Sequence, residues 1–230
     1  AYEIYQCDWS SDVCSSDLVI LGGGPAGNTA ASVAASHGAE VTLVEREVVG
    51  GAAHLRDCVP SKAMIATGNA LRDLDRAAAR GLQASGRIDD AALRARVAGM
   101  QERLTDDVTR LLDSQGVRTV IGTGRLASPH RVVIEHAGGT EEVEADAVLL
   151  ATGSRARVPE WAPVDGERVL STRDAYPPPE IPEHLVVVGS GVTGVEFTHM
   201  FSALGSRVTL VVSRQQVLPT KDAEVAAALE

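Results

Sequence analysis

The chain has 230 residues, of which 44% are apolar, and this is enough to build one or two domains with buried cores. A formal net charge of -10 argues against a nucleic-acid partner, because nucleic-acid binding normally requires a basic face. No apolar run reaches the roughly 20 residues that a membrane span needs. The six histidines show no metal-ligand spacing and there is no Cys-x-x-Cys motif, so the sequence predicts no metal site.

The first 18 residues, AYEIYQCDWSSDVCSSDL, have no apolar period, no basic n-region and no apolar h-region, so they do not form a signal peptide. The string DWSSDVCSSDL matches one translated reading frame of a common short-read sequencing adapter. We interpret residues 1–17 as a non-native, adapter-like tail, and the alternative is a native disordered tail. Because Cys7 and Cys14 lie in this tail, Cys58 is then the single native cysteine, which suits a reducing cytoplasm.

Residues 19–45 predict a buried β-strand, a glycine-rich turn, a helix and a second buried strand. The turn has the pattern G-x-G-x-x-G at Gly22, Gly24 and Gly27. The first glycine permits the tight turn, the second lets the backbone approach a pyrophosphate, and the third lets helix and strand pack closely. The phosphates then lie at the N-terminus of the helix, where the helix dipole is positive. Glu45 at the end of the second strand can accept hydrogen bonds from ribose hydroxyls.

A helix is predicted to begin directly after Cys58, because proline is favoured at the first helical position and Pro60 is followed by helix formers up to Gly81. The helix dipole favours a thiolate at that place. Asp57 acts in the opposite direction, since a neighbouring negative charge disfavours a thiolate. Lys62 lies one turn further along this helix. The net effect on the thiol stays open at this point.

A second helix is predicted from Asp89 and Asp90 to a stop at Gly116. Its apolar residues recur at spacings of three and four and predict a packing stripe formed by Leu93, Val97, Met100, Leu104, Val108 and Leu111. The segments that follow predict a small β-meander with a hairpin turn, then a buried strand that ends in Thr152 and Gly153, and then a proline-rich linker. These are residues 117–126, 131–136 and 141–145 for the meander, residues 147–153 for the buried strand, and residues 176–184 for the linker.

Residues 186–212 repeat the first unit, since nine of their 27 positions are identical to those of residues 19–45 in an alignment without gaps. The glycine motif recurs at Gly189, Gly191 and Gly194. Both copies have the strand before the motif and the helix after it that a dinucleotide-binding unit requires. The sequence therefore predicts two dinucleotide sites.

The two copies differ where their second strand ends. Glu45 ends the strand in the first copy, whereas Val212 takes that place in the second and is followed by Ser213 and Arg214. With no carboxylate to repel it, a 2′-phosphate can be accepted by these two residues, which favours NADPH over NADH. The alternative, in which Arg214 is a solvated loop charge, stays open.

Two dinucleotide motifs with a cysteine-bearing helix between them resemble the flavin-dependent pyridine nucleotide–disulfide oxidoreductases, the family of dihydrolipoamide dehydrogenase and glutathione reductase. The resemblance covers residues 18–230, about the first half of that family's chain. It implies an α/β fold with two Rossmann-like dinucleotide-binding domains, three-layered and with a small β-meander. The FAD-binding domain would be residues 18–156, and a truncated NAD(P)-binding domain would be residues 157–230.

The resemblance also implies roles for individual residues. The first motif and its neighbours would hold FAD, the second would hold NAD(P)H, and Glu196 would lie close to where the two rings meet. The residues implied for FAD are Gly22, Gly24, Pro25, Ala26, Gly27, Glu45, Arg46, Gly51, Ala52, Lys62, Ala151, Thr152 and Gly153. Those implied for NAD(P)H are Gly189, Gly191, Val192, Thr193, Gly194, Glu196, Ser213 and Arg214, and those implied for catalysis are Cys58, Lys62 and Glu196.

The chain departs from the family at its redox motif. The family pattern is G-G-T-C-x-x-x-x-C-x-P-S-K, and GGAAHLRDCVPSK has Ala53 in place of the first cysteine. A dithiol relay needs an outer sulfur to attack the substrate disulfide and an inner one to resolve the mixed disulfide, so we expect no turnover of lipoamide or glutathione. The sequence resembles the NAD(P)H–quinone reductase branch of the family. That resemblance implies hydride transfer from NAD(P)H to FAD and then to a quinone-type acceptor, with Cys58 packed against the flavin.

Three other hypotheses stay open. The first is a homologue of dihydrolipoamide dehydrogenase or another disulfide reductase, and the second is a single-cysteine flavin peroxidase with a sulfenic acid at Cys58. The third is a non-catalytic nucleotide-binding fragment. In the family, the second half of the chain closes the FAD site and forms a homodimer. We therefore expect the 230-residue chain alone to bind FAD poorly and to be inactive.

Overall fold

The structure is a computed structural model, and it describes residues 13–212 and 216–230. The chain folds into two compact units, and each unit is built from two separate stretches of sequence. The first unit contains the chain up to Cys58 together with Gly99–Trp161, and the second contains Val59–Ala98 together with Ala162–Glu230. The domain boundaries expected from the sequence, 1–17, 18–156 and 157–230, stay predictions.

The first unit is built around five strands, which are β1 (Val13–Leu21), β2 (Val41–Glu45), β3 (Arg118–Ser128), β4 (Arg131–His136) and β5 (Gly139–Leu150). They form a closed sheet in the order β1-β2-β3-β4-β5. β1 pairs in parallel with β2 and β5, and β2 pairs in parallel with β3. β4 is antiparallel to both of its neighbours. Helix α1 (Pro25–Ser36) connects β1 to β2, as the first glycine motif predicts.

The strands of the first copy are buried on both faces, as predicted. Side chains alternate between the faces of a strand, so Val19 and Leu21 of β1 join one apolar cluster, which β4 and β5 complete. Ile20 lies between them and joins a second cluster with Leu43 of β2 and Leu112. Burial on both faces explains why these strands are continuous apolar runs and not alternating ones.

β1 is longer than predicted, because it begins at Val13 and not at residue 19. Its first residues pair with β5, and the hydroxyl groups of Ser16 and Thr42 are 2.8 Å apart. A carboxylate oxygen of Asp17 also accepts the N–H of Glu40 at 2.7 Å. Residues 13–17 therefore take part in the sheet of this structure, and their interpretation as adapter-derived stays a prediction.

The hairpin between β4 and β5 is confirmed, but the separate strands expected at 141–145 and 147–153 are one strand, which ends at Leu150 and not at Gly153. β5 has a hydrogen-bonded neighbour on each edge, β4 for its first half and β1 for most of its length, so the ladder continues past Asp146. The expectation that its end is buried is wrong, because Leu149 and Leu150 are exposed.

The second predicted helix is α3 (Asp90–Ser114), with both of its predicted ends confirmed. The side chain of Asp89 accepts the N–H of Ala92 at 2.9 Å, and Gly116 follows the helix with φ = 75°. The packing stripe is correct at Leu93 and Val97, which are buried. It is wrong at Leu104 and Leu111, which are both exposed, and Leu112 occupies the core beside Leu111 instead.

The second unit contains two parallel strands, β6 (His184–Val188) and β7 (Arg207–Val211), joined by helix α4 (Val192–Ala203). Its other helices are α2 (Val59–Asp75), a short 3-10 helix (Ala77–Arg80) and α5 (Ala223–Leu229). Phe197 of α4 packs between the rings of Tyr176 and Phe201, at centroid distances of 4.8 and 5.7 Å.

The expectation of two buried strands in the second copy is wrong. Alternate side chains of β6 are exposed, with Val186 at 53% and Val188 at 60%. The reason is the period of a strand, since its two faces are in different surroundings and only one can face α4. None of the helices in the described ranges is both long and apolar enough to span a bilayer.

Candidate functional site

The glycine loop after β1 is determined by backbone contacts. Gly22 has φ = 111°, in the region that favours glycine, and its N–H donates to the carbonyl of Val44 at 2.8 Å. A Cβ on Gly22 would lie 2.3 Å from the carbonyl oxygen of Ala151, and one on Gly27 would lie 1.8 Å from the carbonyl oxygen of Gly22. The first and third glycines of the motif are therefore required by the loop itself, before any ligand is considered.

A second glycine segment packs directly against this loop. Gly51 has φ = 68°, and a Cβ there would lie 2.4 Å from the Cα of Gly24. The N–H of Gly50 also donates to the carbonyl of Gly23 at 2.8 Å. Gly24 and Gly51, two positions that the sequence assigned to FAD, thus contact each other directly through their main-chain atoms.

The start of α1 has hydrogen-bond donors without side-chain acceptors. Its N-cap is Gly24 and its first residues are Pro25 and Ala26, and within the described residues no side chain caps this end and no acidic residue lies in the first turn. A phosphate group supplies acceptors for such N–H groups, so this helix end fits a dinucleotide.

Glu45 has a structural contact that the sequence did not predict. Its Oε2 accepts the N–H of Gly23 at 2.7 Å, and its Oε1 accepts the N–H groups of Glu47 and Val48 at 2.7 and 3.3 Å. One carboxylate therefore connects the glycine loop to the turn that follows β2. Since a carboxylate offers about four acceptor sites, Oε2 keeps room for a further donor such as a ribose hydroxyl.

The segment after β5 reaches the same loop. The N–H of Ala151 donates to the carbonyl of Leu21 at 2.8 Å, and this contact continues the pairing of β5 with β1 by one residue. Thr152 and Gly153 follow and are exposed, and Gly153 has φ = 67°. Ala151 thus lies beside the glycine loop, and the two residues after it lie on the surface of the first unit.

The second glycine loop repeats the geometry of the first. Gly189 has φ = 114°, and its N–H donates to the carbonyl of Val211 at 3.0 Å. A Cβ on Gly194 would lie 1.8 Å from the carbonyl oxygen of Gly189, whereas one on Gly191 would meet nothing within 4 Å. The space at Gly191 is open, so a ligand can approach the main chain there.

The helix end beside this loop is also available to a ligand. Val192 and Thr193 begin α4, and within the described residues its N-cap has no side-chain hydrogen bond. Ser213 and Arg214 lie outside the described residues. The expected preference for NADPH over NADH therefore stays a prediction.

The environment expected for Cys58 is wrong. A helical segment begins at Gly51 and Ala52, continues as a π-helix (Ala53–Cys58) and runs without a break into α2. Cys58 is exposed and lies inside this segment, not in front of a helix start. The dipole argument for a thiolate therefore does not apply, because it is limited to the first turn of a helix.

Pro60 explains why the sequence misplaced the helix start. In a π-helix the carbonyl of residue i bonds to the N–H of residue i+5, so the carbonyl of Leu55 would require an N–H at position 60. Proline has none. The side-chain amide of Gln101 donates to the carbonyl of Leu55 instead. A proline that usually marks a first helical turn is thus accommodated further along, and α3 supplies the missing donor.

The π-helix has charged neighbours in the first unit. Arg56 and Glu47 form an ion pair of 2.5 Å, and Arg46 contacts the same carboxylate at 3.1 Å. The Oδ1 of Asp57 is buried and has no hydrogen-bond partner among the described residues. Ala53 lies five residues before Cys58, which is one turn in a π-helix, so the position of the missing cysteine is adjacent to the remaining one.

Two of the residues expected to be catalytic meet in the second unit. The Nζ of Lys62 on α2 is 2.5 Å from the Oε1 of Glu196 on α4, and it is also 3.2 Å from the hydroxyl of Ser61. The side chain of Lys62 is 64% exposed and that of Glu196 is 22% exposed. The pair therefore presents a fixed ammonium group at the surface of the unit.

Comparison with known proteins identifies the family. The family of pyridine nucleotide-disulphide oxidoreductases matches residues 16–230. The chain belongs to this family. Its predicted membership and its predicted α/β fold are thereby confirmed, and the assignment of the two glycine loops to dinucleotide binding stays a prediction.

Relatives within this family differ in the activity that their names state. An NAD(P)H dehydrogenase (quinone) of Mycobacterium tuberculosis is 44% identical over 228 residues, which cover 93% of this chain and 46% of the relative. A dihydrolipoyl dehydrogenase of Bacillus subtilis is 34% identical over 212 residues, which cover 91% and 46%. The crystal structure of LpdA from Mycobacterium tuberculosis superposes with a TM-score of 0.85 at 42% identity, covering 94% of this chain and 48% of that one. The chain thus spans about half the length of the relatives it matches.

Proposed function

We propose that the full-length protein is an FAD-dependent NAD(P)H oxidoreductase that reduces a quinone-type acceptor. The observation that carries this proposal is Ala53, which occupies the position of the outer cysteine in a chain that keeps both glycine loops of the family. The similarity to a NAD(P)H dehydrogenase (quinone), at 44% identity, supports the same choice over the disulfide reductases. The intact enzyme would be a cytoplasmic homodimer.

The first glycine loop would hold FAD. Gly24 and Gly51 pack main chain against main chain beside the start of α1, and the first turn of α1 offers N–H groups to the pyrophosphate. Glu45 would accept a ribose hydroxyl while it keeps its contact with Gly23. The other residues proposed for this cofactor are Gly22, Pro25, Ala26, Gly27, Arg46, Ala52, Lys62, Ala151, Thr152 and Gly153.

The second glycine loop would hold NAD(P)H. The open space at Gly191 and the start of α4 would receive its pyrophosphate. The other residues proposed for this cofactor are Gly189, Val192, Thr193, Gly194, Glu196, Ser213 and Arg214. FAD, when bound, supplies the capacity to accept a hydride and to deliver its electrons onward.

The protein's own residues then have defined tasks. Glu196 holds the ammonium of Lys62 at 2.5 Å, so a positive charge keeps one orientation at the surface of the second unit. The methyl group of Ala53 cannot attack a disulfide, and Cys58 is the only cysteine whose side chain the structure describes. With one thiol instead of two, the mixed disulfide of a relay could not be formed by the outer residue and resolved by the inner one.

An acceptor assay tests the proposal. The full-length enzyme is given NADPH or NADH with either menadione or lipoamide, and we expect menadione to be reduced and lipoamide not. The variant Ala53→Cys adds a thiol one π-helical turn from Cys58, so lipoamide turnover should appear in it. Ala78→Cys adds an exposed thiol in the 3-10 helix and should leave both activities at the wild-type level. Lipoamide turnover by the wild type, or failure to reduce menadione, would refute the proposal.

A further inference from the structure

Gly68 lies in the interior of α2, where glycine is an unfavourable choice. Its φ lies outside the left-handed region, so the backbone conformation there does not require glycine. In a helix interior, glycine is less stable than alanine because it loses more conformational freedom on folding. The reason for glycine at this position must therefore lie in what the helix contacts.

That contact is Ala203 at the end of α4. A Cβ on Gly68 would lie 2.7 Å from the Cβ of Ala203 and 3.3 Å from its carbonyl carbon, whereas ordinary contacts are 3.4–4 Å. Ala203 is buried, and its Cβ is attached rigidly to the helix backbone, so it cannot turn away. A methyl group at position 68 would therefore push α2 and α4 apart by about 1 Å.

Two polar contacts between the same helices involve residues of α2 on either side of Gly68. Lys62 meets Glu196 before it, at 2.5 Å. After it, the guanidinium of Arg72 is 3.4 Å from the Nδ1 of His199 and 3.4 Å from the hydroxyl of Ser202. Lys62 is six residues from the close contact, about 9 Å along the helix axis. The separation of α2 and α4 at Gly68 thus limits how near the two sides of both contacts can come.

We propose that Gly68 is a positioning residue for the ion pair of Lys62 and Glu196. By allowing α2 and α4 to approach closely, it keeps the ammonium within hydrogen-bond distance of the carboxylate. An added separation of about 1 Å brings a 2.5 Å contact to the outer limit of a hydrogen bond. The importance of this pair for turnover rests on the proposed function, but the geometry of the pair does not.

The chemical reactivity of Lys62 measures this geometry without any turnover. The described chain has only two lysines, Lys62 and Lys221, and both are exposed. An acylating reagent has to reach Nζ, and the Nζ of Lys62 lies against the carboxylate of Glu196 and the hydroxyl of Ser61, so Lys62 should react slowly relative to Lys221. Full-length protein is labelled briefly with isotope-coded acetic anhydride, and mass spectrometry gives the ratio of the two rates.

Gly68→Ala should raise the ratio of the Lys62 labelling rate to the Lys221 labelling rate about two- to fivefold. This is the change expected from losing the free energy of an exposed ion pair. Glu196→Gln removes the carboxylate that pairs with Lys62, so its labelling ratio is the upper limit for the rise expected in Gly68→Ala. The double variant Gly68→Ala with Ala203→Gly removes the atom that the new methyl group meets, and it should return to the wild-type ratio. Ala203→Gly alone should leave the ratio unchanged.

Gly99→Ala is the matched control, because it makes the same change inside α3 where a Cβ would meet only the guanidinium of Arg103, at 3.4 Å. It should not alter the labelling ratio. If Gly68→Ala does not fold, Ala203→Val adds bulk from the opposite helix and should raise the ratio in the same way. An unchanged ratio in a folded Gly68→Ala protein, or no rescue by Ala203→Gly, would overturn the proposal. Neither result depends on which acceptor the enzyme reduces.

Discussion

The carboxylate of Glu45 should stabilise the first glycine loop independently of any cofactor, and Glu45→Gln tests this. The substitution keeps the size of the side chain but replaces one acceptor oxygen with an NH₂ group. If the remaining oxygen still accepts the hydrogen bonds from the N–H groups of Glu47 and Val48, the new NH₂ group faces the N–H of Gly23. Both of these groups are donors, so they cannot form a hydrogen bond with each other. The contact at 2.7 Å to Gly23 is then lost.

The expected size follows from that one contact. A hydrogen bond to a charged group contributes about 1.5–3 kcal/mol. Because the contact between Gly23 and Glu45 is only part-buried, the lower end of this range applies, about 1.5 kcal/mol. A loss of about 1.4 kcal/mol changes an equilibrium tenfold, so the loop should open about ten times more often.

Amide hydrogen exchange of the full-length protein without added cofactor measures this opening. In Glu45→Gln, the peptide that contains Gly23 should exchange about tenfold faster, while peptides from β4 stay unchanged. Glu47→Gln is the control, because its carboxylate contacts Arg46 and Arg56 and not the glycine loop. Equal exchange at Gly23 in wild type and Glu45→Gln would show that the carboxylate does not hold the loop.

Two further predictions concern the glycine loops and an acidic loop. Gly27→Ala and Gly194→Ala each place a Cβ 1.8 Å from a loop carbonyl oxygen. Gly27→Ala should lower the flavin content per mole of full-length protein, whereas Gly194→Ala should raise the KM for NAD(P)H with the flavin retained. The reverse pattern would contradict the cofactor assignment. Backbone N–H groups of the loop after Asp165, that of Val169 first, hold the pKa of this carboxyl below its ordinary value. Because the folded-state pKa is lowered, the stabilisation is complete above the unfolded-state pKa and is lost as the pH falls through the lowered value. Protection of residues 166–169 from exchange should fall in that acidic range in the wild type and be flat with pH in Asp165→Asn.

The glycine loops could be predicted because their spacing encodes backbone geometry directly. The positive φ of Gly22 and the close approach at Gly27 both exclude a side chain, so the sequence carries the constraint in the residue type. The same is true of the ends of α3, where Asp89 supplies a cap and Gly116 a left-handed residue. The sequence was sufficient to predict these turns and helix ends because the backbone conformation at each position restricts the residue type there.

The parts that could not be predicted depend on contacts between distant positions. Lys62 and Glu196 are 134 residues apart, and nothing in either neighbourhood indicates the other. The π-helix before α2 depends on an amide from Gln101, so the local signal of Pro60 for a helix start was misleading. In the second copy, an apolar strand sequence was taken to mean burial on both faces, although burial depends on which elements cover each face.

Under the proposed function, residue 53 separates reduction of a quinone-type acceptor from reduction of a disulfide. In the π-helix, position 53 lies one turn from Cys58, so the main chain already has the arrangement that a pair of cysteines would use. The relatives named for quinone reduction and for dihydrolipoyl oxidation are 44% and 34% identical to this chain, so overall similarity favours a quinone-type acceptor but does not by itself assign it. A thiol at position 53 would allow attack on a disulfide, whereas the methyl group of Ala53 leaves Cys58 without a second sulfur to exchange with. Under the proposed function the choice of acceptor depends on the side chain at position 53, and the Ala53→Cys assay examines that side chain directly.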